Sequence, residues 1–226
     1  MLNRLTGIPW VADFRDPWCG NPFLQSRPRI VERVDAWLER CVLKHASRVI
    51  CNTPTMTRSF VVRHANVKEK TCTILNGVDV ETVQSVRPRR LAPAGHFVFL
   101  HCGQFYGPRS PSALFEAFHR LITEFPRESE NVRLAFVGPP AFQGQSLVDL
   151  AANAGLSDRV IVCGAKSHTK ALELSVGADA LLLVGASGPG SELQIPQKLF
   201  EYLALRRPIL GLLSPDNPAV SIMEDV

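Results

Sequence analysis

Short apolar runs alternate with helix-like segments along this chain of 226 residues. The runs at 160–163 and 180–184 are apolar at every position, whereas a strand with one face in water alternates apolar and polar residues. Strands that are apolar on both faces are typical of parallel sheets covered by helices on both sides. The alternation therefore predicts an α/β fold built on a doubly wound parallel sheet.

The same pattern places the individual elements. It predicts strands at 8–14, 48–52, 71–75, 96–102, 132–138, 159–163, 180–184 and 208–213. It predicts helices at 29–45, 54–64, 112–125, 146–154 and 168–176, and one that starts near Pro196. Thr53 followed by Pro54 indicates a capped helix start, and Trp37 is interpreted as a core or domain-interface residue.

A change of composition separates two parts of the chain. Residues 80–96 have little periodicity, two prolines and three arginines. We interpret 86–96 as an interdomain linker, between an N-terminal domain at 1–85 and a C-terminal domain at 97–226. The arginines are close enough together to touch lipid phosphates, but a solvated linker is the interpretation we favour.

Four unusual loops each follow a predicted strand. They lie at 103–109, 138–140, 164–168 and 185–198, and each contains glycine. Ligands of doubly wound sheets bind outside the carboxyl ends of the strands, where these loops meet. The convergence of the four loops predicts a binding site there.

The segment that starts at Pro196 contains the most specific chemistry. Proline suits the first turn of a helix, where the positive dipole end and free backbone N–H groups favour a phosphate. Lys198 lies in that turn, and Glu201 follows three residues later on the same helix face. A cation for phosphate and a carboxylate for a sugar hydroxyl indicate a nucleotide-sugar site.

The composition excludes several classes of protein. A net charge of +4 does not indicate nucleic-acid binding, although weak attraction to an anionic membrane surface is compatible with it. No apolar run reaches the roughly 20 residues that span a bilayer, and the N-terminus lacks a signal-peptide core, so we expect a cytoplasmic location. The six cysteines contain no Cys-x-x-Cys pair, so we expect free thiols and no metal site.

Four motifs carry a resemblance to a known family. They lie at 13–18 (Asp-Phe-Arg-Asp-Pro-Trp), 74–79 (Ile-Leu-Asn-Gly-Val-Asp), 103–111 and 195–202 (Ile-Pro-Gln-Lys-Leu-Phe-Glu-Tyr). With the order of elements, they make the chain resemble the retaining glycosyltransferases of family 4, which have the GT-B fold. The resemblance covers nearly the whole chain. It implies two Rossmann-like domains, of which the C-terminal one binds a nucleotide sugar and the N-terminal one shapes the acceptor site.

The resemblance also implies roles for particular residues. Glu201 matches the acid that holds the ribose hydroxyls. Lys198 and Arg109 match the basic residues near the diphosphate, where they stabilise charge on the leaving group without a metal. The full set of implied donor-site residues is Gly103, Gln104, Arg109, Gly138, Gly164, Ala165, Lys166, Lys198, Leu199 and Glu201. Among these, Gly103 lets backbone approach the phosphates, Ala165 and Lys166 contact the base through backbone, and Leu199 offers its N–H to phosphate.

On the acceptor side the candidates are Asp13, Arg15 and Asp16. A pair of catalytic carboxylates is one interpretation of Asp13 and Asp16. A salt bridge between Asp13 and Arg15 at the end of a strand is the one we favour.

The chain departs from the family pattern in two respects. Many members carry two glutamates with seven residues between them, and the first of these positions is Leu193 here, with Glu192 one residue too early. Two complete Rossmann-like domains also need more than 226 residues, so we expect an N-terminal domain that lacks its first strands and a C-terminal domain without its last helices.

The expected function is transfer of a sugar from a nucleotide-diphosphate sugar, linked to UDP, GDP or ADP, to a glycan or lipid-linked acceptor. We expect no further cofactor, no nucleic-acid partner, and a location in the cytoplasm that is compatible with contact at the inner membrane face. Two alternatives stay open: a nucleotide-sugar epimerase of the same fold, and a remnant that binds nucleotide without turnover.

Overall fold

The computed structural model describes residues 6–21, 23–24 and 27–226. Its packing divides the chain into two compact units. The first comprises Met1–Asn76, Ser187–Ile195 and Ser214–Val226, and the second comprises Gly77–Ala186 and Pro196–Leu213. This division differs from the predicted domains, which placed the boundary at 86–96 and left all later residues in one domain.

The elements follow the predicted alternation. The strands are β1 (Val11–Phe14), β2 (Arg48–Cys51), β3 (Thr71–Thr73), β4 (Phe97–Cys102), β5 (Val132–Val137), β6 (Ala141–Phe142), β7 (Gln145–Ser146), β8 (Val160–Val162), β9 (Ala180–Val184) and β10 (Ile209–Leu212). The α-helices are α1 (Arg29–His45), α2 (Pro54–Arg63), α3 (Val80–Ser85), α4 (Ser112–Glu124), α5 (Leu147–Asn153), α6 (His168–Gly177), α7 (Lys198–Leu205) and α8 (Pro218–Glu224). Every predicted strand and helix has a counterpart, whereas α3, α8 and the β6–β7 hairpin were not predicted.

The first unit contains a parallel sheet in the order β1-β2-β3. Val49 and Cys51 of the central strand are fully buried, and Phe60 of α2 packs in the same core. Thr53 precedes α2, and its Oγ1 accepts a hydrogen bond from Met56 N at 3.0 Å. The predicted cap is confirmed.

Helix α1 does not bury its apolar stripe in this unit. Ile30, Val34 and Trp37 are 67%, 47% and 58% exposed, whereas the buried residues of the helix are Glu39 and Leu43. The interpretation of Trp37 as a core residue is therefore wrong for the first unit. Helical spacing shows which residues share a face but not whether a neighbour covers it.

The segment 187–195 packs in the first unit, although it follows strand β9 of the second. Thr53 Oγ1 donates to the Leu193 carbonyl oxygen at 2.8 Å, and Thr55 Oγ1 donates to that of Glu192 at 2.6 Å. The side chain of Asn217, which caps α8, donates to the carbonyl oxygens of Ser191 and Gln194. These bonds to main-chain oxygens place the segment in the first unit.

The second unit contains a five-stranded parallel sheet in the order β10-β9-β4-β5-β8. The chain order reverses beside β4, so the predicted doubly wound sheet is confirmed here. Leu114, Phe115 and Phe118 of α4 are buried against one face, and Phe115 packs edge-on against Phe136 of β5 with ring centroids 5.7 Å apart. Strand β9 is buried along its whole length.

The predicted linker at 86–96 packs on the second unit. Arg89 N donates to the Glu173 carbonyl oxygen at 2.9 Å, and the Arg90 guanidinium pairs with Asp179 at 3.1 Å. Most residues of the segment are nevertheless exposed, so it is a solvated stretch that is anchored to α6 and to the residue before β9 at two positions.

Candidate functional site

The candidate site lies at the carboxyl edge of the sheet in the second unit. Lys198 is the first residue of α7, and its Nζ is buried without a hydrogen-bond partner among the described residues. The lysine side chain extends across Gly103, because a Cβ atom at this glycine would overlap Lys198 Nζ. The φ of Gly103 is +132°, which also favours glycine. Glycine at this position therefore makes room for the ammonium group.

Electrostatics at Lys198 favour the binding of an anion. The pKa of Lys198 is lowered from 10.5 to about 8, mainly by burial and also by the nearby Arg109 guanidinium. Cys102 and Glu201 raise the pKa of Lys198, but their effects are smaller. A buried cation beside a second cation is unfavourable, and a bound anion would offset that cost.

Arg109 is held by the loop that follows β4. The residue is 9% exposed, and its backbone N donates to the Tyr106 carbonyl oxygen at 3.0 Å. Its guanidinium lies over the Tyr106 ring, 5.1 Å from the centroid, and donates to the phenol oxygen at 3.4 Å. Stacking on the aromatic ring fixes the direction of the guanidinium.

Three predicted glycines lie side by side where neighbouring strands end. Gly103 N donates to the Val137 carbonyl oxygen at 2.7 Å, and Gly138 N donates to that of Gly164 at 3.1 Å. The φ of Gly138 is +152°, and a Cβ atom there would overlap the Gly103 carbonyl oxygen. The loops after β4, β5 and β8 therefore converge, as predicted for three of the four loops, whereas most of the fourth, Ser187–Ile195, belongs to the first unit.

A buried histidine and a buried tyrosine form hydrogen bonds with backbone of the sheet near the end of β4. His101 Nδ1 donates to the Leu182 carbonyl oxygen at 3.0 Å, and its ring stacks on Phe105 with centroids 4.5 Å apart. Burial, with Lys198 second, holds the pKa of His101 well below its usual range, so the ring is neutral. Tyr202 Oη accepts from Cys102 N at 3.0 Å, and burial raises the pKa of the phenol.

Glu201 has a partner that sequence reasoning missed. His168 Nε2 donates to Glu201 Oε1 at 3.0 Å. His168 is the first residue of α6, whose N-cap is Ser167: the Ser167 Oγ accepts a hydrogen bond from Lys170 N. The sequence contained only a weak indication of this pair, which is that His168 and Glu201 both follow strands whose carboxyl ends lie at the same edge of the sheet.

The remaining predicted donor-site residues have varied settings. Ala165 and Lys166 are exposed beside Gly164, and Gln104 is exposed beside Gly103. Leu199 is fully buried, and its N–H donates to the Pro196 carbonyl oxygen at 3.0 Å. The backbone donor predicted to meet phosphate at Leu199 is therefore engaged, because the turn that leads into α7 begins at Pro196.

The acceptor-side candidates belong to the first unit. Arg15 Nη1 lies 3.9 Å from Asp13 Oδ2, and both side chains are half exposed, which fits the favoured salt bridge. Asp16 Oδ1 accepts from Gln194 Nε2 at 2.6 Å. Within the parts of the chain that the structure describes, no cluster of metal-ligating side chains occurs, and no helix is long and apolar enough to cross a membrane.

Solved structures with a similar fold include glycosyltransferases. HepE of Anabaena, crystallised with UDP, is 18% identical with a TM-score of 0.67, and the match covers 99% of this chain and 64% of HepE. WaaG, a glycosyltransferase of lipopolysaccharide biosynthesis, is 16% identical with a TM-score of 0.66, with 99% and 64% covered. The fold of this chain is GT-B-like.

Sucrose-phosphate synthase of Thermosynechococcus elongatus is 17% identical with a TM-score of 0.65, and the match covers 99% of this chain and 59% of the synthase. The chain thus spans about three fifths of the length of these structures. No protein-family model and no curated protein sequence matches it.

Proposed function

We propose that this chain binds a nucleotide-diphosphate sugar and takes part in transferring the sugar to a glycan or lipid-linked acceptor. The observation that carries the proposal is the buried Nζ of Lys198 beside Arg109, at the carboxyl edge of a GT-B-like sheet; this nitrogen has no hydrogen-bond partner in the described part of the chain. The presence of UDP in the similar structure of HepE supports the same choice of ligand.

The proposed roles follow from charge and position. Lys198 and Arg109 neutralise the diphosphate, and they stabilise the charge that develops on its oxygen when the bond to the sugar breaks. Glu201 accepts hydrogen bonds from the ribose hydroxyls, while Gly103 and Gly138 admit the phosphates close to the backbone. In this proposal the two cations meet the leaving group without a metal, as the resemblance to retaining family 4 enzymes implies.

The remaining donor-site residues and the cellular setting complete the proposal. Gln104, Gly164, Ala165 and Lys166 lie beside the nucleotide, whose base is contacted through backbone. The reaction takes place in the cytoplasm, and a lipid-linked acceptor brings the enzyme to the inner membrane face.

Binding without turnover is the second candidate. Its support is Leu193, which occupies the position of the first acid in the family pattern. The neighbouring Glu192 is held through its carbonyl oxygen by Thr55. Without an acid at this position, the contacts that bind the nucleotide remain, but a carboxylate near the transferred sugar is missing.

Calorimetric titration with UDP, GDP, ADP and their sugars tests the proposal. Lys198→Ala is expected to weaken binding of the preferred nucleotide roughly 10- to 100-fold, because it removes a charge-assisted contact. Glu201→Ala is expected to weaken it several-fold. Lys170→Ala and Glu116→Ala, at exposed positions of the same unit, serve as matched controls.

Failure of every nucleotide and nucleotide sugar to bind would overturn the proposal. Unchanged affinity in Lys198→Ala would refute the assigned site. Donor binding without sugar transfer to any glycan or lipid-linked acceptor would favour the second candidate.

A further inference from the structure

The outer face of α1 is apolar and open. Ile30, Val34 and Trp37 are spaced by four and three residues, so they form one stripe along the helix. Val31 beside them is also exposed, and the indole of Trp37 is 58% exposed. An amphipathic helix normally turns such a stripe toward its own core, so this orientation is unusual.

The inner face of α1 explains why the stripe stays outside. Glu39 is 1% exposed, and its carboxylate accepts hydrogen bonds from Arg63 Nη1 at 2.8 Å, His64 Nε2 at 3.1 Å and Cys19 N at 3.0 Å. Leu43 is buried on the same side. Rotation of α1 to bury the stripe would strip Glu39 of these partners, which is strongly unfavourable for a buried carboxylate.

Basic side chains border the stripe along one edge. Arg29, Arg33, Arg40 and Lys44 are exposed, and at 100° per residue they fall within a sector of roughly 60° directly beside it. The acidic residues of the helix, Glu32, Asp35 and Glu39, project away from this edge. The outer face of α1 is thus an apolar strip with a cationic border.

We propose that the outer face of α1 docks on an anionic phospholipid surface. Isoleucine, valine and tryptophan suit the boundary between headgroups and acyl chains, and the long basic side chains reach the lipid phosphates. Charge complementarity favours an anionic bilayer as the occupant. The role of the contact, which is to bring a lipid-linked acceptor to the enzyme, rests on the proposed function, whereas the binding itself does not.

Co-sedimentation of the full chain with vesicles tests the docking. Vesicles that contain phosphatidylglycerol are expected to retain the protein, vesicles of phosphatidylcholine alone are not, and added salt is expected to release it. The double variant Ile30→Ser/Trp37→Ser is expected to bind the anionic vesicles at least roughly tenfold more weakly than the wild type. The double variant Arg33→Glu/Arg40→Glu is expected to lose at least roughly twentyfold in affinity for the anionic vesicles.

Matched controls lie on α2 of the same unit. Val62 is 83% exposed and Arg58 is exposed, so Val62→Ser and Arg58→Glu remove an apolar and a basic surface residue away from α1. Both controls are expected to leave vesicle binding unchanged. Equal losses in the α1 variants and the controls would overturn the proposal, as would an absence of binding to anionic vesicles.

Trp37 supplies a direct readout. Lipids brominated in the acyl chain are expected to quench tryptophan fluorescence of the wild type more than that of Trp37→Phe. A self-association that the α1 variants abolish, without any vesicle binding, would assign the face to a second copy of the chain and overturn the proposal.

The two proposals fail separately. Vesicle binding is measured without nucleotide, and Lys198→Ala is expected to bind vesicles like the wild type. Loss of nucleotide binding with retained vesicle binding would contradict only the proposed function, and the reverse result would contradict only the docking of α1.

Discussion

At the scale of single residues, Lys198 concentrates the chemistry of the second unit. Its Nζ is buried beside Arg109, and the space that it occupies exists because position 103 has no Cβ atom. Burial lowers its pKa to about 8, so the group is mostly charged at neutral pH and titrates in a mildly alkaline range. Its protonation is therefore coupled to any anion that binds there.

This coupling predicts a pH dependence of nucleotide affinity. A diphosphate favours the protonated lysine and raises its pKa, so binding takes up a proton once the pH exceeds about 8. Affinity for UDP is expected to be flat from pH 7 to about 8, and then to fall by up to roughly tenfold per pH unit. Calorimetry across this range measures it, and Lys198→Ala should remove the slope. A slope that persists in the variant would assign the proton to another group.

Gly138 gives a second prediction at this scale. A Cβ atom there would overlap the Gly103 carbonyl oxygen, in addition to the strain of φ +152°. We expect Gly138→Ala to lower the free energy of unfolding by about 2 kcal/mol or more. Gly144 also has a positive φ, +81°, but has open space around it, so Gly144→Ala isolates the backbone strain. Urea denaturation measures the free energy of unfolding of both variants. An equal decrease in the two would contradict the role of the overlap at Gly138.

At the scale of elements, α6 and α7 meet through one hydrogen bond between side chains. His168 at the start of α6 donates to Glu201 Oε1, which directs the carboxylate and leaves its second oxygen for another donor. If Glu201 holds the ribose, His168 is a positioning residue for that contact.

This arrangement predicts a ribose-specific effect of His168. His168→Ala is expected to weaken UDP binding roughly threefold to tenfold, because the carboxylate loses its fixed direction. Binding of 2′,3′-dideoxy-UDP, which lacks the ribose hydroxyls, should stay unchanged. His119→Ala, at an exposed position of α4, is the matched control. Equal weakening of both nucleotides would indicate a general disturbance of the site.

Most helices and strands were predictable from the sequence. The apolar runs predicted each strand of the five-stranded sheet in the second unit, and helical spacing predicted the helix α4. Helix α1 shows the limit: Ile30, Val34 and Trp37 have helical spacing, yet they are exposed. The three hydrogen bonds that orient α1 through Glu39 come from residues up to 25 positions away, so the local periodicity of the helix cannot predict them.

At the scale of the whole molecule, the chain returns twice to its first unit. The segments Ser187–Ile195 and Ser214–Val226 both belong there, and Asn217 joins them. This side chain is 3% exposed, donates to the carbonyl oxygens of Ser191 and Gln194, and accepts from Ala219 N at 2.9 Å. It is the buried polar link between two segments distant in sequence.

Asn217→Ala is therefore expected to destabilise the first unit. The variant leaves two buried carbonyl oxygens without this donor and removes the cap of α8, for a loss of about 2–3 kcal/mol. Faster proteolysis within 187–195 is the local readout, and the shift of the denaturation midpoint is the global one. Exposed Asn153→Ala in α5 is the control. Unchanged proteolysis at 187–195 would show that Thr53 and Thr55 hold the segment without Asn217.

The sequence alone determined the parallel α/β architecture, the order of its elements, and the placement of Lys198 and Glu201 on one turn of α7. These depend on periodicity and on residue types that are close together in the chain. The tertiary structure alone decided that Lys198 is buried beside Arg109, that His168 binds Glu201, that 187–195 joins the first unit, and that the stripe of α1 faces outward. Burial and pairing depend on neighbours distant in sequence, so they become visible only when the chain is folded.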